Sequence, residues 1–139
     1  MPAPSVLPEF VYKIVDSAPP SPLPRVFPPS DLDKQDGFIH LSTGRQVPIT
    51  AGLFFASHTT LWLIKIRLAA LTAEPATGNM VKWDDPPNDN DGCPHLYGNF
   101  GAVEVDSVQE FERKTGCSAG GYGQDEEWKD VFAASKWLE

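Results

Sequence analysis

Apolar positions along this chain alternate with polar ones more often than they recur at helical spacing, and proline, glycine and aspartate punctuate them. Phe10-Val11-Tyr12-Lys13-Ile14-Val15 is β-branched and aromatic and reads as the first strand. Asp36-Gly37 is a turn, with Gly37 free to take a positive φ. Phe38, Ile39 and Leu41 then form a short buried strand that His40 interrupts. Leu61 to Leu68 alternates most clearly: Trp62, Ile64, Ile66 and Leu68 face one way, and Leu61, Leu63, Lys65 and Arg67 the other. Val81-Lys82-Trp83 is a brief strand. Ala102-Val103-Glu104-Val105 is another, continuing through a bulge to Phe111.

Helical spacing is confined to a few places. Ser30 caps a single turn over Asp31-Leu32-Asp33. Thr43 and Gln46 have capping-box spacing, and Pro48 puts the first helical residue near 46–48, where a missing N–H is tolerated. Val47, Ala51, Phe54 and Phe55 then share a face, and that helix ends near Ser57-His58. Asp125 caps a last helix running to Leu138, with Trp128, Val131, Phe132 and Ser135 on its inner face and Trp137 and Leu138 closing its end. Residues 18–29 carry prolines at 19, 20, 22, 24, 28 and 29. They predict an extended flap across the sheet, pinned by Val26 and Phe27. Residues 1–8 are expected to fray and residues 69–79 to form a polar loop. Asp84 to Cys93 reads as a mobile acidic lid, since it lacks the ligand spacing of a calcium loop. The four glycines of 116–123 lack the offsets of a phosphate loop.

Composition adds bounds. At 139 residues the chain is one domain with room for a core of its own. A formal charge of −8 argues against an electrostatic grip on nucleic acid or an anionic membrane. A local basic pocket would draw on Arg25, Arg45, Lys65, Arg67 and Lys82. Lys65 and Arg67 read as a solvated stripe or as a positive rim for an anionic ligand. Cys93 and Cys117 belong to no CxxC pair. With no secretory signal and no long apolar run, a reducing cytoplasm is the expected setting. Oligomeric state is not legible.

The candidate chemistry lies in two clusters, Asp36-Gly37-Phe38-Ile39-His40-Leu41-Ser42-Thr43 and, 55 residues on from His40, Pro94-His95-Leu96-Tyr97-Gly98. A histidine on an apolar run is most often a satisfied core residue, and Ser42 and Tyr97 are then merely its partners. Two such histidines, each followed by hydroxyl groups, point instead to one shared pocket. His40 and His95 facing one cleft suit acid–base work, one donating while the other accepts. Ser42 and Thr43 would hold an anion beside the following helix start. Gln46 would read a carbonyl or amide, and Trp83 and Tyr97 would give flat apolar walls. Ser42 as a nucleophile lacks the G-x-S-x-G elbow. His40, His95 and Asp84 would suffice for an open metal site, but their spacing carries no metal signature, so no metal is expected. His58, beside Thr59 and Thr60, reads as a surface residue.

The two histidine motifs, with Gln46 and Trp83, resemble the DUF952 family over roughly residues 10–112. The resemblance implies a fold like the catalytic domain of ADP-ribosyltransferases such as diphtheria toxin. That fold is α+β: a mixed, mostly antiparallel sheet in two parts around a cleft, with a few short helices. It further implies that His40 orients a nicotinamide ribose and Tyr97 stacks on the nicotinamide. The acid would be Asp84, which follows Trp83 where the family has one, or Glu104. NAD is the cofactor implied; the residues themselves demand none. The proline-rich stretch 18–29 and the helical extension 113–139 depart from the family pattern.

Three functions are consistent with this sequence. One is a small-molecule enzyme of ADP-ribosyltransferase type using a nucleotide or NAD. The second is a cofactor-independent lyase, dehydratase or isomerase working through the histidines. The third is a small-ligand binder without catalysis. None calls for nucleic acid or membrane as a partner.

Overall fold

In the computed structural model, which describes residues 7–55, 57–71, 79–84, 92–113 and 128–138, two strands are apolar on both faces and lie at the centre. These are β1 (Phe10–Val15) and β4 (Thr60–Arg67), paired antiparallel from Phe10↔Arg67 to Val15↔Trp62. β3 (Ser42–Thr43) adds to β1 and β7 (Val105–Glu112) adds to β4, giving a sheet of order β3-β1-β4-β7. A second sheet joins β2 (Ile39–His40), β6 (Cys93–Tyr97) and β5 (Met80–Asp84) in the order β2-β6-β5. All pairings among the described strands are antiparallel. Four short helices complete them: α1 (Asp31–Asp36), α2 (Val47–Phe54), α3 (Leu68–Leu71) and α4 (Trp128–Ala133). The class is α+β with mostly antiparallel sheets. No helix among the described residues is long and apolar enough to cross a membrane.

Strand parity decides which core each residue enters. Phe10, Tyr12 and Ile14, with Leu61 and Leu63, pack under Val47 and Ala51 of α2 and Trp128 and Phe132 of α4. Val11, Ile64 and Ile66 point the other way and meet Ile39 and Leu96 of the second sheet, together with Leu41, Phe27 and Phe100. Lys65 departs from its expected solvated or rim position. It is 4% exposed, its ammonium donates to the Trp137 carbonyl at 2.7 Å, and it lies 4.4 Å from the Phe10 ring. Its stem packs in the first core and the residues after α4 close over its charge. Arg67 stays partly exposed and donates to the Val103 carbonyl.

Other differences are local. Residues 102–104 form a turn, so β7 begins only at Val105, and the β4–β7 register shifts between Lys65 and Ile66. α3 occupies the start of the expected loop because Leu68 and Leu71 both bury. α2 stops at Phe54, and Phe54 is exposed, not inward; Val47 and Ala51 alone are its buried residues. Residues 85–91 of the lid expected from Asp84 to Cys93, the glycine-rich 116–123, Asp125 and the first six residues lie outside the described residues.

The proline-rich stretch is a strap tied to the turn after β6. The Phe27 N–H donates to the Phe100 carbonyl at 2.7 Å, and the Ala102 N–H donates to the Pro24 carbonyl at 3.0 Å. Phe27 stacks on Phe100. A side chain at Gly101 would stand 1.7 Å from the Arg25 carbonyl oxygen, so the two backbones approach there at a distance only glycine allows. Of the two expected pins, Phe27 is buried and Val26 is exposed, because the alternating strap can present only one of them to the core.

Candidate functional site

The site is built from α1 outward. The Ser30 hydroxyl accepts from the Asp33 N–H at 3.1 Å, and the Ser30 N–H donates back to the Asp33 carboxylate at 3.4 Å. Gly37, at φ 82°, ends the helix and donates to the Asp33 carbonyl. Asp33 is thereby fixed, 3% exposed, beneath β1 and β2. Its Oδ1 accepts from the His40 backbone N–H at 3.1 Å and meets His40 Nδ1 at 2.6 Å. Its Oδ2 lies 2.7 Å from the Lys13 ammonium, which also donates to the His40 carbonyl at 3.3 Å. Burial alone would raise the Asp33 carboxyl. The His40 hydrogen bond and the Lys13 charge outweigh it and hold that carboxyl well below the usual range. Burial pulls the Lys13 ammonium down, and Asp33 opposes the pull. The other His40 nitrogen, Nε2, lies 2.9 Å from Asp36 Oδ2. Each ring nitrogen of His40 thus lies within hydrogen-bonding reach of a carboxylate oxygen.

The second sheet supplies the other histidine. β2 and β6 place His40 directly opposite His95, so both side chains leave the same face. Their ring centroids are 5.5 Å apart. Phe38, two positions before His40 and therefore on that face, stacks on His95 at 4.2 Å and lies 4.6 Å from His40 and 5.2 Å from Tyr97. Both histidines are half-buried and line one cavity of about 1090 Å³. Lys13, Asp33 and Asp36 line it too, as do Leu53 and Phe54 of α2 and the prolines at 19, 20, 28 and 29.

The other expected site residues divide. Ser42 lines the cavity, with its hydroxyl 3.0 Å from that of Thr50. Thr43 and Gln46 do not. Gln46 is fully buried; its Oε1 accepts from the Thr43 N–H, its Nε2 donates to the Gly92 carbonyl, and its N–H donates to the Thr43 hydroxyl. This pair closes the turn before α2 and ties it to the start of β6, where a reader of ligand carbonyls was expected. Trp83 pairs with Pro94, so parity sends its ring to the second core, away from the histidines. Tyr97 shares the His95 face but lies outside the cavity lining, between Phe38 and Lys82. Asp84 belongs to β5, and its side chain is outside the described set. Glu104 stands in the turn before β7, not on a strand, and its carboxylate accepts from the Gly101 N–H at 2.8 Å.

His58 is no simple surface residue. It lines the cavity, packs against Phe55 and lies 3.3 Å from Asp16. Lys13 and Asp33 are site residues that motif reasoning missed, and Asp36 and Phe38 stood in the first motif without a role of their own. Each left a trace: a charge amid an otherwise apolar strand, the third residue after a helix cap, the turn acid, and an aromatic two positions from the histidine. Arg25, Arg45, Lys65, Arg67 and Lys82 are not among the residues that line the cavity. Among the described residues no group of three or more His, Cys, Asp or Glu side chains is placed to hold a metal ion.

The family described as "Protein of unknown function (DUF952)" matches residues 23–110. No curated protein matches the chain. Among solved structures, the crystal structure of protein CC0527 from Caulobacter crescentus is similar at 26% identity and a TM-score of 0.63, covering 89% of this chain and 98% of that one. A double mutant of that protein gives 28% identity and a TM-score of 0.60 over the same shares of the two chains. Its solution structure gives 29% identity and 0.56, over 77% of this chain and 88% of that one.

Proposed function

This chain belongs to the DUF952 family of proteins of unknown function, and we propose that it is a small-molecule enzyme in which His40 moves the proton. The supporting observation is the 2.6 Å contact between buried Asp33 and His40 Nδ1, on a cavity wall that His95 shares. Asp33 fixes the ring's orientation through Nδ1, leaving Nε2 as the exchanging nitrogen. Asp36 is the partly exposed partner of Nε2. It yields to a ligand more readily than Asp33, which is buried and held by Lys13. His95, across the strand pair, is the second proton-handling group. Proton abstraction, dehydration or isomerisation of a small metabolite needs no more than these parts.

The competing reading is an ADP-ribosyltransferase-like arrangement using NAD. It has weaker support. Tyr97, its nicotinamide platform, is outside the cavity lining, and Glu104, one of its two candidate acids, is tied to Gly101. Incubation of the protein with a mixture of metabolites, followed by mass spectrometry, identifies what is consumed. His40→Gln and His95→Gln are expected to slow that consumption by roughly 10²–10⁴-fold with an unchanged circular dichroism spectrum. Full activity in both variants would remove the acid–base reading. Release of nicotinamide from NAD would favour the transferase. Weakened binding with no product in any variant would leave a ligand-binding protein.

A further inference from the structure

The ionisable lining of the cavity, among the described residues, is one lysine, four aspartates, three histidines and the buried thiol of Cys93. The lysine is already committed: Lys13 lies 2.7 Å from Asp33 and donates to the His40 carbonyl. An incoming phosphate or carboxylate would therefore meet no lysine or arginine among these residues to receive it. The acids are disposed differently. Asp33 is neutralised within the wall, but Asp16, Asp31 and Asp36 are exposed at the cavity. Of these, Asp16 faces His58 and Asp36 faces His40.

The remaining wall is apolar and aromatic. Phe54 is 63% exposed and Leu53 52% exposed, both on the cavity side of α2, with Phe38 and Phe55 also on the lining. Large side chains left open to water at one cavity mark a surface meant for an apolar guest. Aromatic rings and carboxylates that line one cavity both attract a cation, the rings through their quadrupole and the acids through their charge.

We propose that the cavity takes an organic cation: an amine carrying a flat or branched apolar body, its ammonium toward the rim aspartates and its body against Leu53 and Phe54. This names the substrate class for the acid–base centre and rests on reading the cavity as that centre. The chain's formal charge of −8 acts in the same direction, drawing cations to the mouth and repelling phosphorylated metabolites.

Three probes of similar shape test it on the full chain: phenethylamine, phenethyl alcohol and phenylacetate, titrated under NMR in a low-salt buffer mildly above neutral pH. The amine is expected to bind at least about tenfold more tightly than phenylacetate, with the gap closing as salt is added. The variant with Asp16→Asn and Asp31→Asn is expected to weaken amine binding about threefold to tenfold and to leave the alcohol unchanged. Phenylacetate binding as tightly as the amine would overturn the proposal. So would an amine affinity indifferent to the double variant, or no binding of any probe at millimolar concentration. The titration reads binding alone. An amine preference without any His40-dependent turnover therefore removes the acid–base reading and keeps the ligand class.

Discussion

Asp33 binds Lys13 through one oxygen and His40 through the other, with both side chains of the Lys13–Asp33 pair almost fully buried. Its removal strands an ammonium in the wall. Asp33→Ala is expected to cost about 3–5 kcal/mol in chemical denaturation, because a buried charge is left without its partner. The same contacts set the acid limb of stability. Its folded carboxyl lies below the ordinary value of 3.8, so near and below that pH the unfolded chain binds the proton that the folded chain refuses. The contribution is complete above the ordinary carboxylate range and is lost as pH falls through and below it; Asp33→Asn should flatten that part of the profile. At this scale His40 was legible because a polar residue broke an apolar run. Its partners were not. Asp33 showed only as a helix-cap residue, and the Lys13 contact spans 20 positions that no local pattern encodes.

Between elements, the strap and the strand registers decide what reaches the cavity. Gly101→Ala would drive a methyl group into the Arg25 carbonyl, which is backbone and cannot turn aside. We expect a loss of about 1–3 kcal/mol in thermal unfolding. Hydrogen exchange should also quicken at the Phe27 and Ala102 amides, whose bonds hold the strap. The alternation along β4 was readable, and it assigned Leu63 and Ile64 to opposite faces correctly. Trp83 shows where such reading stopped. Its motif drew it to the histidines, but pairing with Pro94 turns it to the far side, and pairing register is a property of two strands at once. Gln46 shows the same limit: its spacing from Thr43 was visible, and its bond to Gly92 was not.

For the whole molecule, β1 and β4 carry both cores on their two faces. Neither core can dissolve without exposing a strand the other needs. Leu63→Ala in the first core and Leu96→Ala in the second, both at sites with no exposure, should each cost about 2–5 kcal/mol. In both variants tryptophan fluorescence and far-ultraviolet circular dichroism should report one midpoint. The α+β class and the division into two sheet parts both came with the family resemblance, since periodicity names strands and not their neighbours. One wall of the cavity has a consequence of its own. Pro19, Pro20, Pro28 and Pro29 present rings with almost no torsional freedom left to surrender. A guest pressed against them orders little that was not ordered beforehand, so this side of the chamber selects by outline, admitting a body that matches a rigid contour and refusing one that would need the host to bend.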